Sequence, residues 1–210
     1  IMKYTIRLET PNDYDTTEEI TREAFWNLYK PGCEEHFIAH NMRTHEDFIP
    51  QLSFVIEVDG KIVGSIFYSR AFIIDGDNNK YEVASFGPVS IHPAYHRQGL
   101  GRALITRSIE EAKKLGYNAI IIGGFPYHYQ TYGFEGTKKY GITMPDKQFY
   151  TGIMALELRE GALDNKQGVI HFSESLYVQE EDVEKFDKNF PTKKKKVLPC
   201  QEAFEKAASE

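Results

Sequence analysis

Hydrophobic and polar residues at the start of the chain are arranged in patterns that predict a strand followed by two helices. Residues 4–8 alternate between apolar and polar and predict an edge strand. Thr16, with Glu19 three positions later, has the form of a capping box and predicts the start of a helix. That helix would carry one apolar stripe, formed by Ile20, Ala24, Phe25 and Leu28. A second helix is predicted over 34–48, because Pro50 ends the helical pattern.

The next part of the chain carries three apolar runs that predict antiparallel strands. The runs 53–58 and 61–68 flank an Asp-Gly pair, which is the strongest hairpin signal in the sequence. A polar turn at 75–79 separates the second run from a third run at 81–91. These three strands therefore form an antiparallel first half of a sheet.

Gly87 and Pro88 interrupt the third predicted strand. Proline cannot donate a hydrogen bond to a central ladder, and glycine favours a kink, so the pair predicts a β-bulge. A bulge at this position would bend the strand away from its neighbour. The alternative is that the strand begins only at Val89.

A basic turn with two glycines follows the third strand, and a helix predicted over 102–115 follows the turn. Gly99 and Gly101 allow the backbone to come close to a ligand. The unpaired N–H groups of the first helical turn point outward, and Arg97 and Arg102 add positive charge. The strand, the turn and the helix N-terminus together predict a site for a phosphate or pyrophosphate group.

Two widespread phosphate-binding motifs do not match this turn. A Walker loop ends in Gly-Lys-Ser/Thr, whereas Gly101 is followed by Arg102 and Ala103. The dinucleotide fingerprint needs a third glycine, where this chain has Leu104, and an acidic residue about 20 positions further on, where none stands. Neither a P-loop nor a Rossmann site is therefore predicted.

The pattern after this helix predicts one crossover connection and a short helix. The largely apolar run 117–123 is typical of a buried parallel strand, so strand, helix and strand form a right-handed crossover. A short helix is predicted over 126–132, and the run 154–158 predicts the last core strand. Further along, the sequence suggests a strand at 169–172, an acidic helix at 180–190 and a short terminal helix. The lysine run 193–196 is interpreted as a solvated tail.

Composition narrows the possible partners and the cellular location. The chain has 210 residues, 41% of them hydrophobic, and a formal net charge of −6, which argues against nonspecific binding to nucleic acid. The charge is compatible with a cationic or amine substrate. No apolar signal region or membrane-spanning run is present, so we expect a cytoplasmic protein without a membrane partner. Cys33 and Cys200 lack CxxC spacing and are expected to be free thiols.

The glycine turn and the segments around it resemble the GNAT superfamily of N-acetyltransferases. The acyl-CoA loop of that family has the form Gln/Arg-x-x-Gly-x-Gly/Ala, and this chain has His96-Arg97-Gln98-Gly99-Leu100-Gly101 in the same register. His96 stands where Gln or Arg is usual. A Tyr-x-x-x-Gly-Phe ending at 129–134 also resembles the family. The segment Gly124-Phe125-Pro126-x-x-Tyr129 is similar to a bacterial subgroup of predicted acetyltransferases, with His128 replacing a tyrosine.

This resemblance implies an α/β fold with a mixed sheet flanked by helices. The sheet would have an antiparallel N-terminal half and a splayed parallel strand pair at an acyl-CoA cleft. The resemblance covers the chain to about Leu163, so we expect a GNAT-like acyl-CoA N-acyltransferase domain over 1–163 and a C-terminal extension over 164–210 packed on it. A homodimer is compatible with this assignment.

The resemblance also implies acetyl-CoA as the acyl donor and no metal. In the family, the pantetheine arm lies in the gap between the splayed strands, which here involves Val89, Ser90 and Ile91. The acyl-CoA loop corresponds to His96, Arg97, Gln98, Gly99, Leu100, Gly101, Arg102 and Ala103. His92, His96 and His128 do not have the spacing of metal ligands.

The candidate catalytic residues are Tyr129 and Glu82. Tyr129 falls on the general-acid tyrosine of the family, and the alternative is an aromatic side chain that only packs under the last helix. Glu82 lies in a plausible region for the general base, although a solvated strand carboxylate is the simpler interpretation. Glu23, Glu35 and His36 are possible substrate-side groups that would otherwise be ordinary helix-surface residues.

These observations favour an N-acetyltransferase that moves an acetyl group from acetyl-CoA directly to a primary amine, without an acyl-enzyme. A noncatalytic acyl-CoA binding or sensing domain is the alternative, and a regulatory interaction protein that uses the C-terminal tail is a third hypothesis. Tyr129 favours the enzyme over the sensor. The sequence leaves small amines, antibiotics, peptides and protein N-termini open as acceptors.

Overall fold

The chain folds into a mixed α/β structure, described for residues 2–210 by a computed structural model. Its strands are β1 (Tyr4–Leu8), β2 (Phe54–Val58), β3 (Lys61–Ile74), β4 (Lys80–Ile91), β5 (Ala119–Gly123), β6 (Glu135–Gly136), β7 (Ile142–Thr143), β8 (Ile153–Glu157) and β9 (Gly168–His171). Its α-helices are α1 (Tyr14–Phe25), α2 (Glu35–Met42), α3 (Leu100–Lys114), α4 (Pro126–Tyr129), α5 (Glu180–Asp187) and α6 (Pro199–Ser209).

One mixed sheet organises the described residues. Its strands run in the order β1-β2-β3-β4-β5-β8-β6, and β9 pairs with both β3 and β7. The pairs β1–β2, β2–β3 and β3–β4 are antiparallel, whereas β4 and β5 are parallel. The α3 crossover connects the two parallel strands. The expected antiparallel first half and the parallel pair are therefore confirmed.

The hairpin between β2 and β3 forms where the Asp-Gly pair predicts it. Asp59 and Gly60 both have positive φ, 50° and 74°. Positive φ at both central residues is the requirement of a type I′ turn, whose twist matches that of the flanking strands. The register that follows pairs Val58 with Lys61.

A β-bulge separates β4 from β5. Ile66 of β3 pairs with Val89 and Tyr68 pairs with Phe86, so Gly87 and Pro88 together face one residue of β3. The parallel ladder between β4 and β5 is reduced to one pair, Ala84 with Ile120. The predicted bulge is confirmed, the alternative start at Val89 is wrong, and the two strands diverge beyond the bulge.

Helices cover both faces of the sheet. Phe67 and Tyr68 are consecutive residues of β3, so their side chains point to opposite faces. Phe67 packs in a buried cluster with Ile38 and Met42 of α2. Tyr68 packs in the main core on the α3 side, and its hydroxyl lies 2.9 Å from that of Ser108. Both faces of the sheet are therefore covered by packed side chains. A ligand can reach the sheet mainly where β4 and β5 separate.

The first helix begins earlier than the capping-box pattern predicts. Asp13 precedes α1, and its carboxylate accepts hydrogen bonds from the Thr10 N–H at 2.7 Å and from the Arg7 guanidinium at 2.7 Å. This arrangement starts the helix at Tyr14. The prediction of Thr16 as the N-cap is therefore wrong, since Thr16 lies inside the helix.

The second helix ends at Met42, so the prediction of a helix over 34–48 is wrong at its C-terminal end. Arg43 turns inward instead of continuing the helix. Its guanidinium donates to Glu9 at 2.9 Å and to Glu18 at 2.6 Å, and all three side chains are almost fully buried. This buried ion network fixes the chain direction after α2.

Two further boundaries differ from the sequence pattern. The third helix begins at Leu100 rather than at Arg102, directly after Gly99. The prediction that 154–158 is the last core strand is wrong, because β9 joins the sheet beside β3. Its Val169 and Ile170 are buried. No local pattern in the sequence shows that this late strand returns to a central strand.

Residues 164–210 contact the rest of the chain at several points. Asp187 of α5 pairs with Arg22 at 2.7 Å and with His36 at 2.9 Å. Phe204 of α6 stacks on Tyr29, with ring centroids 4.0 Å apart. A domain boundary at Leu163 stays a prediction. Among the described residues no helix is long and apolar enough to cross a membrane, and both cysteines are free thiols, as expected.

Candidate active site

The basic glycine turn gives α3 an exposed N-terminus. Arg97 and Gly99 have left-handed φ values of 58° and 79°, and Leu100 anchors the turn in the core. The Ala103 N–H donates to the Gly99 carbonyl at 3.0 Å, which closes the first helical turn. The N–H groups before Ala103 have no carbonyl to bond within the helix. They form a positive end of the helix, beside the exposed Arg97 and Arg102.

Gly101 leaves space at this helix end. A Cβ added there would meet only the Ile91 Cγ1 atom, at an ordinary 3.6 Å, and its φ is not left-handed. The fold therefore does not require glycine at this position. The open surface in front of the turn fits a pyrophosphate. The free N–H groups of α3 and the charges of Arg97 and Arg102 surround it, and Gly101 has no side chain to fill it.

Backbone groups of β4 face the gap left by β5. The His92 N–H donates to Val63 of β3 at 2.7 Å. Because successive residues of a strand point their backbone groups to opposite sides, those of Ser90 face β3, whereas those of Val89 and Ile91 face the gap. The Ser90 hydroxyl lies 3.1 Å from that of Thr21, on the α1 side.

His96 stabilises the turn instead of opening it to a ligand. Its Nε2–H donates to the Ile91 carbonyl at 2.7 Å, across the base of the turn. This bond ties the turn to the end of β4. The residue that departs from the family pattern therefore has a structural contact of its own.

A cavity of about 1070 Å³ opens where β4 and β5 diverge. The bulged segment of β4 and the glycines after β5 form its floor. Parts of α1, α2 and α6 form its outer walls, together with α4 and the loops that follow β7 and β9. Ligand sites typically measure about 300–1,000 Å³, so this cavity has room for the reacting ends of two molecules.

Tyr129 lies in this cavity and packs on both sides. Its ring centroid lies 5.8 Å from that of Phe86 and 6.0 Å from that of Phe134. A Cβ at Gly124 would come within 2.5 Å of its ring, so only glycine lets the ring lie there. Burial, with a smaller effect of Tyr132, raises the pKa of Tyr129 to about 12. The phenol is therefore protonated at neutral pH.

Glu35 lies in the same cavity, at the N-terminus of α2. Burial raises the pKa of its half-buried carboxyl to about 7, against the opposing effect of nearby backbone N–H groups. Tyr29, also in the cavity, has a pKa raised to about 12, first by burial and then by its neighbours Tyr129 and Glu35. These three side chains are therefore brought together at one place.

Glu82 does not share the cavity of Tyr129. It lines a separate cavity of about 620 Å³ near the C-terminal end of α3. Its carboxylate lies 3.5 Å from Arg70, and burial together with Glu82 raises the pKa of Tyr117 to about 12. The structure thus brings Tyr129 and Glu35 together and leaves Glu82 apart.

Cys33, His36 and Asp187 form a hydrogen-bonded line that superficially resembles a nucleophile and its base. The Cys33 Sγ lies 3.4 Å from His36 Nδ1, and His36 Nε2 lies 2.9 Å from Asp187. Burial raises the pKa of the Cys33 thiol well above its ordinary value and lowers that of His36. A buried neutral thiol is inert, so we interpret this line as structural.

Sequence reasoning gave Glu35 only a possible substrate-side role and gave Tyr29 and Phe204 none. Tyr29 follows α1 and Phe204 lies in α6, so no local pattern connects them. The three histidines considered as ligands do not gather either. Among residues 2–210, no group of three His, Cys, Asp or Glu side chains is placed to hold a metal ion.

Comparisons with known proteins agree with this geometry. The family model of the acetyltransferase (GNAT) family matches residues 22–134. The uncharacterized N-acetyltransferase YhbS of Escherichia coli K12 is 24% identical over 170 residues, covering 80% of this chain and 96% of YhbS. The uncharacterized N-acetyltransferase MJ1207 of Methanocaldococcus jannaschii is 32% identical over 121 residues, covering 55% of this chain and 51% of MJ1207.

Two solved structures have a similar fold. The crystal structure of Escherichia coli YhbS in complex with CoA has a TM-score of 0.73 and 21% identity, over 84% of this chain and 93% of that one. A GNAT acetyltransferase from Brucella melitensis in complex with acetyl-CoA has a TM-score of 0.67 and 22% identity, over 84% of this chain and 100% of that one. The expected fold class is confirmed, and the match over more than half of the sequence shows that this chain belongs to the GNAT acetyltransferase family.

Proposed function

We propose that this protein is an N-acetyltransferase that moves an acetyl group from acetyl-CoA directly to a primary amine. The observation that carries the proposal is the gap beyond the β4 bulge, which begins near the glycine turn and opens into the cavity of Tyr129. Family membership supports the reaction class, and two structural neighbours hold CoA or acetyl-CoA.

In this proposal the turn 96–103 holds the pyrophosphate of CoA. The free N–H groups at the start of α3 donate to phosphate oxygens, and Arg97 and Arg102 supply charge. Val89 offers its backbone groups, and Ile91 its N–H, to the pantetheine arm in the gap, since the Ile91 carbonyl already accepts from His96. An N–H of this segment also polarises the thioester carbonyl, as an oxyanion hole does. Ser90 lies between these two residues in β4, but its own backbone groups face β3 and are not offered to the pantetheine arm.

Acetyl-CoA supplies the activated acetyl group, and this chain moves the protons. The amine nitrogen forms a bond to the carbonyl carbon while the carbon–sulfur bond breaks. Tyr129 then donates its phenolic proton to the departing CoA sulfur, and the proton that the acylated nitrogen loses replaces it on the phenol. Its raised pKa keeps the proton in place at neutral pH until the thiolate forms. Glu82 is not part of this proposal, since it lines the other cavity.

A screen for CoA-thiol release tests the function. The full chain is given acetyl-CoA and primary amines from different classes, and we expect thiol release only when a free amine is present. The same amines already acetylated on nitrogen are the matched control, because they cannot accept another acetyl group readily. Binding of acetyl-CoA without release for any amine would instead support the sensor alternative.

A further inference from the structure

The outer part of the large cavity combines aromatic walls with a partly buried acidic side chain, Glu35. Phe204 of α6 stacks on Tyr29 at 4.0 Å between centroids and meets Phe125 edge-on at 5.7 Å. Phe25 packs on the other side of Tyr29, at 5.7 Å. Ring faces and edges therefore surround the space in front of Glu35.

The carboxylates that line this cavity are not balanced by any lysine or arginine in its lining. They are Glu35 and, on the outer loop, Asp146. Asp146 is exposed and accepts a hydrogen bond from Tyr150. Glu35 is therefore the partly buried carboxylate in the cavity of Tyr129. A cation with an apolar body fits this lining better than an anion or a polyol does.

Helix α6 is held in place as a wall by a polar clasp around Asn27. The buried Asn27 side chain accepts from the Gly32 N–H at 2.8 Å and the Lys196 N–H at 3.0 Å. Gln201 of α6 donates to the Asn27 carbonyl at 3.1 Å and to the Lys196 carbonyl at 2.8 Å. Satisfied buried polar groups of this kind fix one arrangement. The position of Phe204 is thus determined by the clasp.

We propose that α6 closes an acceptor pocket for a primary amine carried on an aromatic or apolar group, with Glu35 taking the proton from the amine. The proposal rests on the acetyltransferase function and adds the class of acceptor. In the step, the ammonium gives one proton to the Glu35 carboxylate, and the neutral amine attacks the acetyl carbonyl. The carbon–sulfur bond breaks, Tyr129 protonates the CoA sulfur, and the second proton lost by the nitrogen replaces the one that Tyr129 gave. The aromatic rings bind the rest of the molecule.

Two amines make a matched test of this pocket. 2-Phenylethylamine and ethanolamine carry the same aminoethyl group and differ in a ring against a hydroxyl. We expect kcat/KM for 2-phenylethylamine to be greater by about tenfold or more, because its ring is buried against the walls. Equal values, or a preference for ethanolamine, would overturn the proposal.

Phe204→Ala should remove most of this preference and leave acetyl-CoA affinity within a few-fold. Glu205→Ala, on the exposed side of α6, is the matched control and should keep the preference. A preference that survives Phe204→Ala contradicts the assignment of α6 as a wall.

Calorimetry separates the pocket from the reaction. If no amine of the thiol-release screen is acetylated, the proposed function fails. Binding of 2-phenylethylamine by the full chain, weakened by Phe204→Ala, would still support the pocket. Absence of such binding would overturn it.

Discussion

At the scale of single residues, the general-acid role proposed for Tyr129 gives a specific prediction. Tyr129→Phe removes only the hydroxyl and keeps the ring between Phe86 and Phe134. We expect kcat to fall by about 10²-fold, the low end for general acids, because a thiolate is a tolerable leaving group unaided. Acetyl-CoA affinity should stay within a few-fold. The measurement is a rate assay under conditions in which chemistry limits turnover.

Gly124→Ala provides a related control for the position of the ring. An added Cβ would clash with the Tyr129 ring at 2.5 Å and displace the hydroxyl without removing it. An unchanged kcat in Tyr129→Phe would leave Tyr129 as a packing residue.

Glu35 predicts a pH dependence whose sign follows from its role. The base must be ionised, and its pKa is raised to about 7, so kcat/KM should increase as the pH rises through this value. Tyr29, Lys30 and Glu34 are the titratable groups around it. The ammonium group of the acceptor has its own pKa, which is about 10 for an alkyl ammonium.

Glu35→Gln should lose the lower inflection of this profile and retain the upper one. Full pH profiles of both proteins, with 2-phenylethylamine as acceptor, provide the measurement. A lower inflection that persists in Glu35→Gln would assign it to another group.

At the scale of elements, α5 is tied to α1 and α2 by one carboxylate. Burial opposes ionisation of Asp187, but its bonds to Arg22 and His36 outweigh this and hold its pKa below the usual range. The contribution to stability is therefore present above the unfolded pKa of about 3.9 and is lost as pH falls through the folded value.

Asp187→Asn should destabilise the protein by about 2 kcal/mol, less than for a fully buried pair because Asp187 is partly exposed. The cause is the Arg22 guanidinium, which is 3% exposed and would lose its counter-charge. Urea unfolding measures the change. Glu184→Gln in the same helix is the control and should change stability by less than about 0.5 kcal/mol. Equal effects of the two substitutions would show that the buried pair adds nothing.

At the scale of the whole molecule, local signals predicted the first half well. The Asp-Gly hairpin, the bulge at Gly87 and Pro88, and the crossover through α3 each follow from residues close in sequence. The missed features depend on distant partners. The start of α1 depends on the ion pair between Arg7 and Asp13, and the end of α2 depends on the buried ion pairs of Arg43.

The residues of the candidate site also divide into those predicted from local motifs and those brought in by distant parts of the chain. The glycine turn and Tyr129 lie in local motifs and were predicted from them. Glu35 was predicted only as a possible substrate-side group. The aromatic wall was not predicted, because Phe204 reaches Tyr29 only through the late path of β9, α5 and α6. Long-range packing of this kind leaves no periodic pattern in the sequence.

The central claim is that the turn 96–103 binds the pyrophosphate of acetyl-CoA, and calorimetric titration of Gly101→Val tests it most directly. The added side chain meets only an ordinary contact at 3.6 Å within the protein, so the fold should persist while the ligand is obstructed. Thr106→Val, on the exposed side of α3, is the matched control for a β-branched residue in this helix. We predict that Gly101→Val weakens acetyl-CoA binding by at least about tenfold, or about 1.4 kcal/mol, and that Thr106→Val does not. Equal affinity in a folded Gly101→Val protein would contradict the account.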